Sequence, residues 1–397
     1  MTYLQAIWKL KFEQILMSPF VFLGKGWGRM FPLKSSHSIF LFFPSADIGG
    51  SPKVNADIAT CVKDKKPLII FSKKPNNNQF LELFQIEGVE IIDLNPYLDR
   101  KLLHFVNFFF RGVIASWINH AKDPVVFGGE SLFFYKIIPH INKSIPCIEL
   151  CHLPTWFPYT IGFIGRINKR IFSTNKLKGD VISLYDKNHI DPLLYQRLYF
   201  IDNAVAIPEY KETNNPRLEV VFIGRGARQK RIHLVAAIAR KMQEANDNIH
   251  FSFVGDVENI IDTRKYPYCR FYGNVSDPAL MEKIYRESDV LILTSASEGL
   301  PIVVMTMMAY GKIVLSTAVN GIPDYITHLK NGLLISETDE NKIVEQGVDL
   351  LRLLIKDPEL KARLGKNNRQ TAIEKFSGEV FCRKYREILF PDKGANN

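Results

Sequence analysis

The chain has 397 residues, enough for two domains, or three at the lower end of the usual range of roughly 100–200 residues each. Apolar residues make up 46% and charged residues 23%, which excludes a largely disordered or fibrous chain. The net charge of +10 favours anionic partners, yet the sequence shows neither dense basic clustering nor a nucleic-acid-binding module, so no nucleic acid is expected.

Residues 1–36 read as a segment of their own. They mix Trp8, Phe12, Phe20, Phe22, Trp27 and Phe31 with Lys9, Lys11, Lys25, Arg29 and Lys34, a combination suited to the surface of an anionic membrane. No apolar run approaches the roughly 18 residues needed to span a bilayer, and the start lacks the apolar core of a signal peptide. A second basic and aromatic cluster, Arg166, Lys169, Arg170, Lys176 and Lys178, suggests the same surface. The five cysteines form no Cys-x-x-Cys pair and leave an odd count. That argues against zinc or disulfide frameworks and for a reducing cytoplasm, at most peripheral at the inner face of the membrane.

From residue 37 short apolar runs alternate with amphipathic ones. Ile39–Phe43, Leu68–Phe71, Glu90–Ile92 and Val125–Phe127 read as strands; Pro52–Val62 and the Phe-rich stretch Lys101–Ile118 read as helices. A polar, proline-bracketed break at Pro208–Pro216 precedes a second such series. Its strands are Glu219–Ile223, His250–Val254, Arg270–Tyr272, Val290–Leu293 and Ile313–Ser316, with a helix over His233–Gln243. Continuous apolar strands alternating with helices imply parallel sheets covered on both faces. The expected layout is a first domain over 37–207, a second over 208–375, and a final helix and tail over 376–397.

Three runs in the second half carry the chemistry. Phe222 to Lys230 is a strand entering a loop with Gly224, Arg225 and Lys230, where a bare backbone and two cations suit a diphosphate. Ser288 to Gly311 is a strand, a polar Ser-Ala-Ser-Glu298-Gly299-Leu300 loop, and a helix opened by Pro301, whose amino end attracts anions. Glu298 stands where its carboxylate could accept hydrogen bonds from ligand hydroxyls; the alternative for such a glutamate is to cap its own helix. The third run, Ser316 to Ile326, holds the turn Gly321-Ile322-Pro323-Asp324.

Taken in order, residues 219–335 resemble the donor-binding domain of family 4 (group 1) glycosyltransferases. The family carries a Gly-Arg loop with a lysine five residues on, then Glu-Gly-x-x-Leu-Pro with a second glutamate eight residues after the first, an Ala-x-Gly and a Gly-Ile-Pro-Glu turn. The resemblance implies the GT-B fold, α/β, with two Rossmann-like doubly wound domains facing each other across a cleft: an acceptor-side domain over 37–207 and a donor domain over 208–375, with the 376–397 helix and tail packing back on the first. It also implies catalytic or donor-binding roles for Gly224, Arg225, Lys230, Glu298, Gly299 and Leu300, and for His152, which matches a histidine touching the donor sugar. Gly49 and Gly50 match the family's amino-terminal phosphate and acceptor loop, with Ser51 as N-cap and Pro52 in the first helical turn. In this chain the second glutamate is Thr306, a shorter donor-binding contact.

The reaction so implied moves a sugar from a nucleotide diphosphate sugar to the hydroxyl of a glycan or lipid-linked acceptor, with retention. Bacterial surface polysaccharide, lipopolysaccharide or lipid-linked glycan synthesis is the expected setting. The chain has no Asp-x-Asp pair, so no metal is expected, and no other cofactor. Thr306 leaves a catalytically impaired partner protein as a rival reading, and a GT-B nucleotide-sugar epimerase as another.

Overall fold

The computed structural model describes residues 3–98, 104–152, 157–298 and 300–391. The chain divides into two compact units: one runs to Asn203 and resumes at Phe381, and the other is Ala204–Val380.

In the first unit a long helix, α1 (Tyr3–Met30), precedes the sheet. There follow β1 (Ile39–Phe43), α2 (Gly50–Cys61), β2 (Leu68–Phe71), β3 (Glu90–Asp93), α3 (Asn95–Leu98), α4 (His104–His120), β4 (Val125–Gly129) and α5 (Leu132–Ile137). After these come β5 (Cys147–Cys151), α6 (Phe157–Thr160), β6 (Lys169–Phe172), α7 (Asn175–Lys187) and β7 (Leu198–Phe200). The seven strands are all parallel, in the order β3-β2-β1-β4-β5-β6-β7. β1 is buried along its whole length because helices cover both faces, which is why it reads as unbroken Ile-Phe-Leu-Phe-Phe.

The amino-terminal segment is a helix even through Pro19. Proline removes the N–H that the Ile15 carbonyl would accept from. The Ser18 hydroxyl donates to that carbonyl instead, at 2.8 Å. One side of α1 lies against α4 so closely that a Cβ on Gly24 would sit 2.0 Å from the Phe109 carbonyl oxygen, and one on Gly112 2.1 Å from that of Val21. Only glycine permits that crossing.

Three of the five cations of the 166–178 cluster are engaged within the fold. Arg170 is buried in β6 and paired with Glu149 of β5; Lys169 donates to the Ile388 carbonyl at 2.8 Å; Arg166 donates to those of Asn142 and Ile145. Lys176 stays exposed in a pair with Asp180 one helical turn on.

The second unit contains β8 (Leu218–Ile223), α8 (Ile232–Glu244), β9 (Ile249–Val254), β10 (Arg270–Phe271), α9 (Pro278–Glu287), β11 (Val290–Leu293) and α10 (Ile302–Ala309). It ends with β12 (Ile313–Thr317), β13 (Leu333–Ile335), α11 (Glu340–Lys356) and α12 (Pro358–Phe376). Its sheet is again parallel, in the order β10-β9-β8-β11-β12-β13.

The last helix, α13 (Gly378–Leu389), joins the first unit from Phe381 onward. Arg386 holds Asp64 at 2.5 and 2.9 Å, and Lys384 lies 3.6 Å from Asp202. Cys61, the last residue of α2, is bonded to Cys382 of α13, a single disulfide where the sequence argued against a disulfide framework; Cys147, Cys151 and Cys269 are free. The two partners lie 321 residues apart, so no local spacing announces them.

Candidate functional site

Each sheet changes winding direction once, between β1 and β4 in the first unit and between β8 and β11 in the second. Sheets of this kind hold ligands beyond the carboxyl ends of the strands at that point. The residues singled out from the sequence fall at these two places.

In the second unit the loops after β8 and β11 are laced together. The Ala296 N–H donates to the Gln229 carbonyl at 2.8 Å, and the Gln229 amide donates to the Ser297 carbonyl. Lys230 Nζ donates to Glu298 Oε1 at 2.5 Å, and the Ser295 hydroxyl donates to the same oxygen at 2.6 Å. The Glu298 side chain is 8% exposed and that of Lys230 16%, so the pair is nearly dry and correspondingly strong. Arg225 stands exposed on the β8 loop. Below it, Asp256 accepts from the Gly226 N–H at 2.8 Å; that bond first, and the Arg225 charge among lesser causes, hold its carboxyl below the usual carboxylate range. Gly255 lies against Gly224 with φ +120°, and a Cβ there would be 1.9 Å from the Gly224 oxygen. The Gly224 loop therefore has its floor fixed by bare backbone.

Leu300 is half-buried beside Pro301, the residue before α10. Gly299 lies outside the described residues. Thr306 sits on the second turn of α10, half-buried, and its hydroxyl donates to the Ile302 carbonyl at 2.9 Å. With its proton so placed, Thr306 Oγ1 can accept from a ligand hydroxyl but not donate to one.

Sequence reasoning missed Arg231. It has φ +45°, and its guanidinium reaches the carbonyls of Thr294 and Ser295 at 2.7 and 3.0 Å. It holds the β11 loop where Lys230 can meet Glu298. The only signal was its place next to Lys230.

At the same edge of the first unit, Gly49 is the N-cap of α2 and Gly50 its first residue, both exposed. Ser51 is thus not the N-cap: its hydroxyl donates to Glu130 Oε2 at 3.0 Å, drawn by a buried carboxylate that needs a donor. Asp47 in the same loop accepts from three successive N–H groups, Asn76 to Asn78. Burial opposes its charge, but these bonds and Ser45 hold its pKa at about 2.

His152 follows β5, and its backbone N–H bonds Glu130. Glu130 is a second residue the sequence did not reveal. It follows β4 in the left-handed region at φ +56°, and burial raises its pKa. Glu130 Oε1, His152 Nε2 and Asn55 Oδ1 are all buried without a hydrogen-bond partner. Such orphaned atoms are costly, and a ligand rich in hydroxyl donors would satisfy them.

Burial pushes the His152 pKa down to about 4, and that of His140 likewise, helped there by Arg111 and Lys25. The unfolded chain takes up these protons near pH 6.5, the folded one only near 4. Stability should therefore fall as pH falls through that window. His152→Gln is expected to remove about half of the drop in thermal midpoint between pH 7 and pH 5; an undiminished drop would refute burial of a neutral His152.

Residues 206–371 match the family model for glycosyl transferases group 1. An uncharacterised glycosyltransferase of Methanocaldococcus jannaschii is 26% identical over 62% of this chain and 69% of its own. The capsular polysaccharide biosynthesis glycosyltransferase CapM of Staphylococcus aureus is 22% identical over 54% of this chain, a match that spans about half the length of CapM (56%). Among solved structures, Anabaena HepE in complex with UDP superposes with a TM-score of 0.64 at 16% identity, over 89% of this chain and 99% of that one, which shows a shared fold. With the motif loops of the second unit laced at the winding switch of its sheet, residues 206–371 are similar to the group 1 glycosyl transferases, and the chain has the GT-B fold.

Proposed function

We propose that the chain transfers a sugar from a nucleotide diphosphate sugar to the hydroxyl of a glycan or lipid-linked acceptor, with retention, in bacterial surface polysaccharide or lipopolysaccharide synthesis. The place of action is the cytoplasm, at the inner face of the membrane. The observation that carries this reading is the nearly dry Lys230–Glu298 pair at the winding switch of the second sheet, beside the Gly224 backbone and the amino end of α10. Charge builds on the departing diphosphate as the sugar–oxygen bond breaks. Lys230, Arg225 and the helix end supply fixed positive potential where it builds. Glu298 orients sugar hydroxyls, and His152 in its neutral form accepts a hydrogen bond from the sugar.

These cations do the work a divalent ion would otherwise do, so turnover should persist in excess chelator. The test is mass spectrometry after incubation of the full chain with a panel of nucleotide diphosphate sugars, with and without chelator. Release of nucleoside diphosphate is expected in both arms. Activity lost to chelator and restored by manganese would refute the metal-free reading, and isomerised donor without acceptor would point to an epimerase. A second reading, a catalytically impaired partner protein, draws on Thr306, whose hydroxyl is already bonded within α10. No release from any donor would favour it.

A further inference from the structure

Helix α1 is apolar on two sides and covered on only one. Ala6, Val21, Gly24 and Gly28 are buried. On the opposite side Leu4, Trp8, Phe12, Ile15, Phe22 and Met30 recur at multiples of the helical period and form one stripe. Every one of them is about half or more exposed, Phe22 the most at 77%. The helix has 28 residues, so the stripe runs roughly 40 Å at 1.5 Å per residue. Leaving so much aromatic and aliphatic surface in water marks an interaction face.

The charges on the helix say what covers it. At 100° per residue, Lys11, Lys25 and Arg29 follow one border of the stripe and Lys9 the other. The one acid of the helix, Glu13, is already held by Lys136 at 3.0 Å. A second copy of the chain packed face to face about a two-fold axis would bring these cations against their own copies with no acid to answer them. An anionic bilayer answers both features, since acyl chains take the stripe and lipid phosphates take the borders. No helix among the described residues is long and apolar enough to cross a membrane, so α1 lies on the surface rather than through it.

We propose that α1 is an in-plane docking helix that seats the first unit on an anionic lipid bilayer through the Leu4–Met30 stripe. This deepens the membrane-face reading above and names its element, and it needs nothing from the donor site. The amino end of the helix packs on the segment Ile161–Phe163, where a Cβ on Gly162 would meet Leu10 at 2.6 Å. That segment follows β5 and His152 in sequence.

The experiment is flotation of the full chain with vesicles of phosphatidylcholine alone or with 30 mol% phosphatidylglycerol as an added component (~30% is chosen to give a clearly negative surface). Capture is expected on the anionic vesicles and should weaken at least tenfold on the neutral ones, and it should fade as salt is raised. Phe12→Glu with Phe22→Glu should abolish capture, and Lys9→Glu with Lys11→Glu should erase the preference for phosphatidylglycerol. Both pairs are exposed, so the thermal midpoint should stay at the parental value. Capture of the stripe variant equal to that of the parent would overturn the proposal. So would a lipid-free dimer that the stripe variant turns into a monomer, which makes the face a contact between copies. Calorimetry of the parent chain with a panel of nucleoside diphosphates reads the donor site separately: a parent that binds one of them but is not captured rejects docking alone, and a parent that is captured but binds none rejects the donor reading alone.

Discussion

Alanine at Glu298 is expected to reduce turnover at least a hundredfold while leaving the fold intact. Loss of one preorganised group aimed at the reacting centre commonly costs about 10²–10³ in rate. Glu298 receives both Lys230 and the Ser295 hydroxyl, and in the proposed reaction it orients the sugar hydroxyls. Without it the lysine loses its anchor and its charge is no longer aimed. Glu298→Gln keeps the shape and the serine bond but not the charge, and should fall between alanine and the parent. Lys230→Ala behaves differently, because it leaves a carboxylate only 8% exposed with no cation. It should lower the thermal midpoint and weaken nucleoside diphosphate binding by about 10–100-fold, the worth of a charge-assisted hydrogen bond, while binding of the matching nucleoside stays near the parental value. Calorimetry with both ligands on the three variants checks this, and equal losses for the diphosphate and the nucleoside would remove Lys230 from the diphosphate.

A large effect on stability is expected far from that site, at Arg170. Arg170 and Glu149 stand directly opposite one another on β6 and β5, and both side chains are 2% exposed. Glu149 also receives the Tyr135 hydroxyl, and Arg170 reaches the Tyr185 hydroxyl at 3.2 Å. Arg170→Met leaves a buried carboxylate without its cation and should cost about 3–5 kcal/mol in denaturant unfolding. Pairing it with Glu149→Leu removes both charges and should recover most of the loss. A double variant no more stable than Arg170→Met would show that the network, not the uncompensated charge, sets the cost.

The same pair explains a limit of sequence reading. The second sheet was legible because β8, β11 and β12 are plain apolar runs followed by motif loops, and the motif singled out Lys230 and Glu298 before any geometry was known. β6 was not legible: Lys-Arg-Ile-Phe looks like half of a surface patch until Glu149 is seen across from it. α1 was read as a composition rather than a helix, because the proline and three glycines inside it speak against one until Ser18 and the α4 crossing answer them. Glu130 belongs to no spacing pattern. What marks it is a left-handed backbone and an orphaned oxygen, and neither is written in the order of residues.

The first unit is assembled from two stretches of chain with the whole second unit between them. On the ribosome its seven strands are finished while α13 is still unmade. About 180 residues intervene, which at 5–20 residues per second is a delay of roughly 10–35 s. During that interval the seat for Phe381, Tyr385 and Leu389, all buried in the finished protein, stands open, with Phe127 at the place where the Tyr385 ring later packs. The second unit, contiguous in sequence, can close first. A chain truncated after Val380 and released should therefore present one protease-resistant unit and one apolar seat for a chaperone.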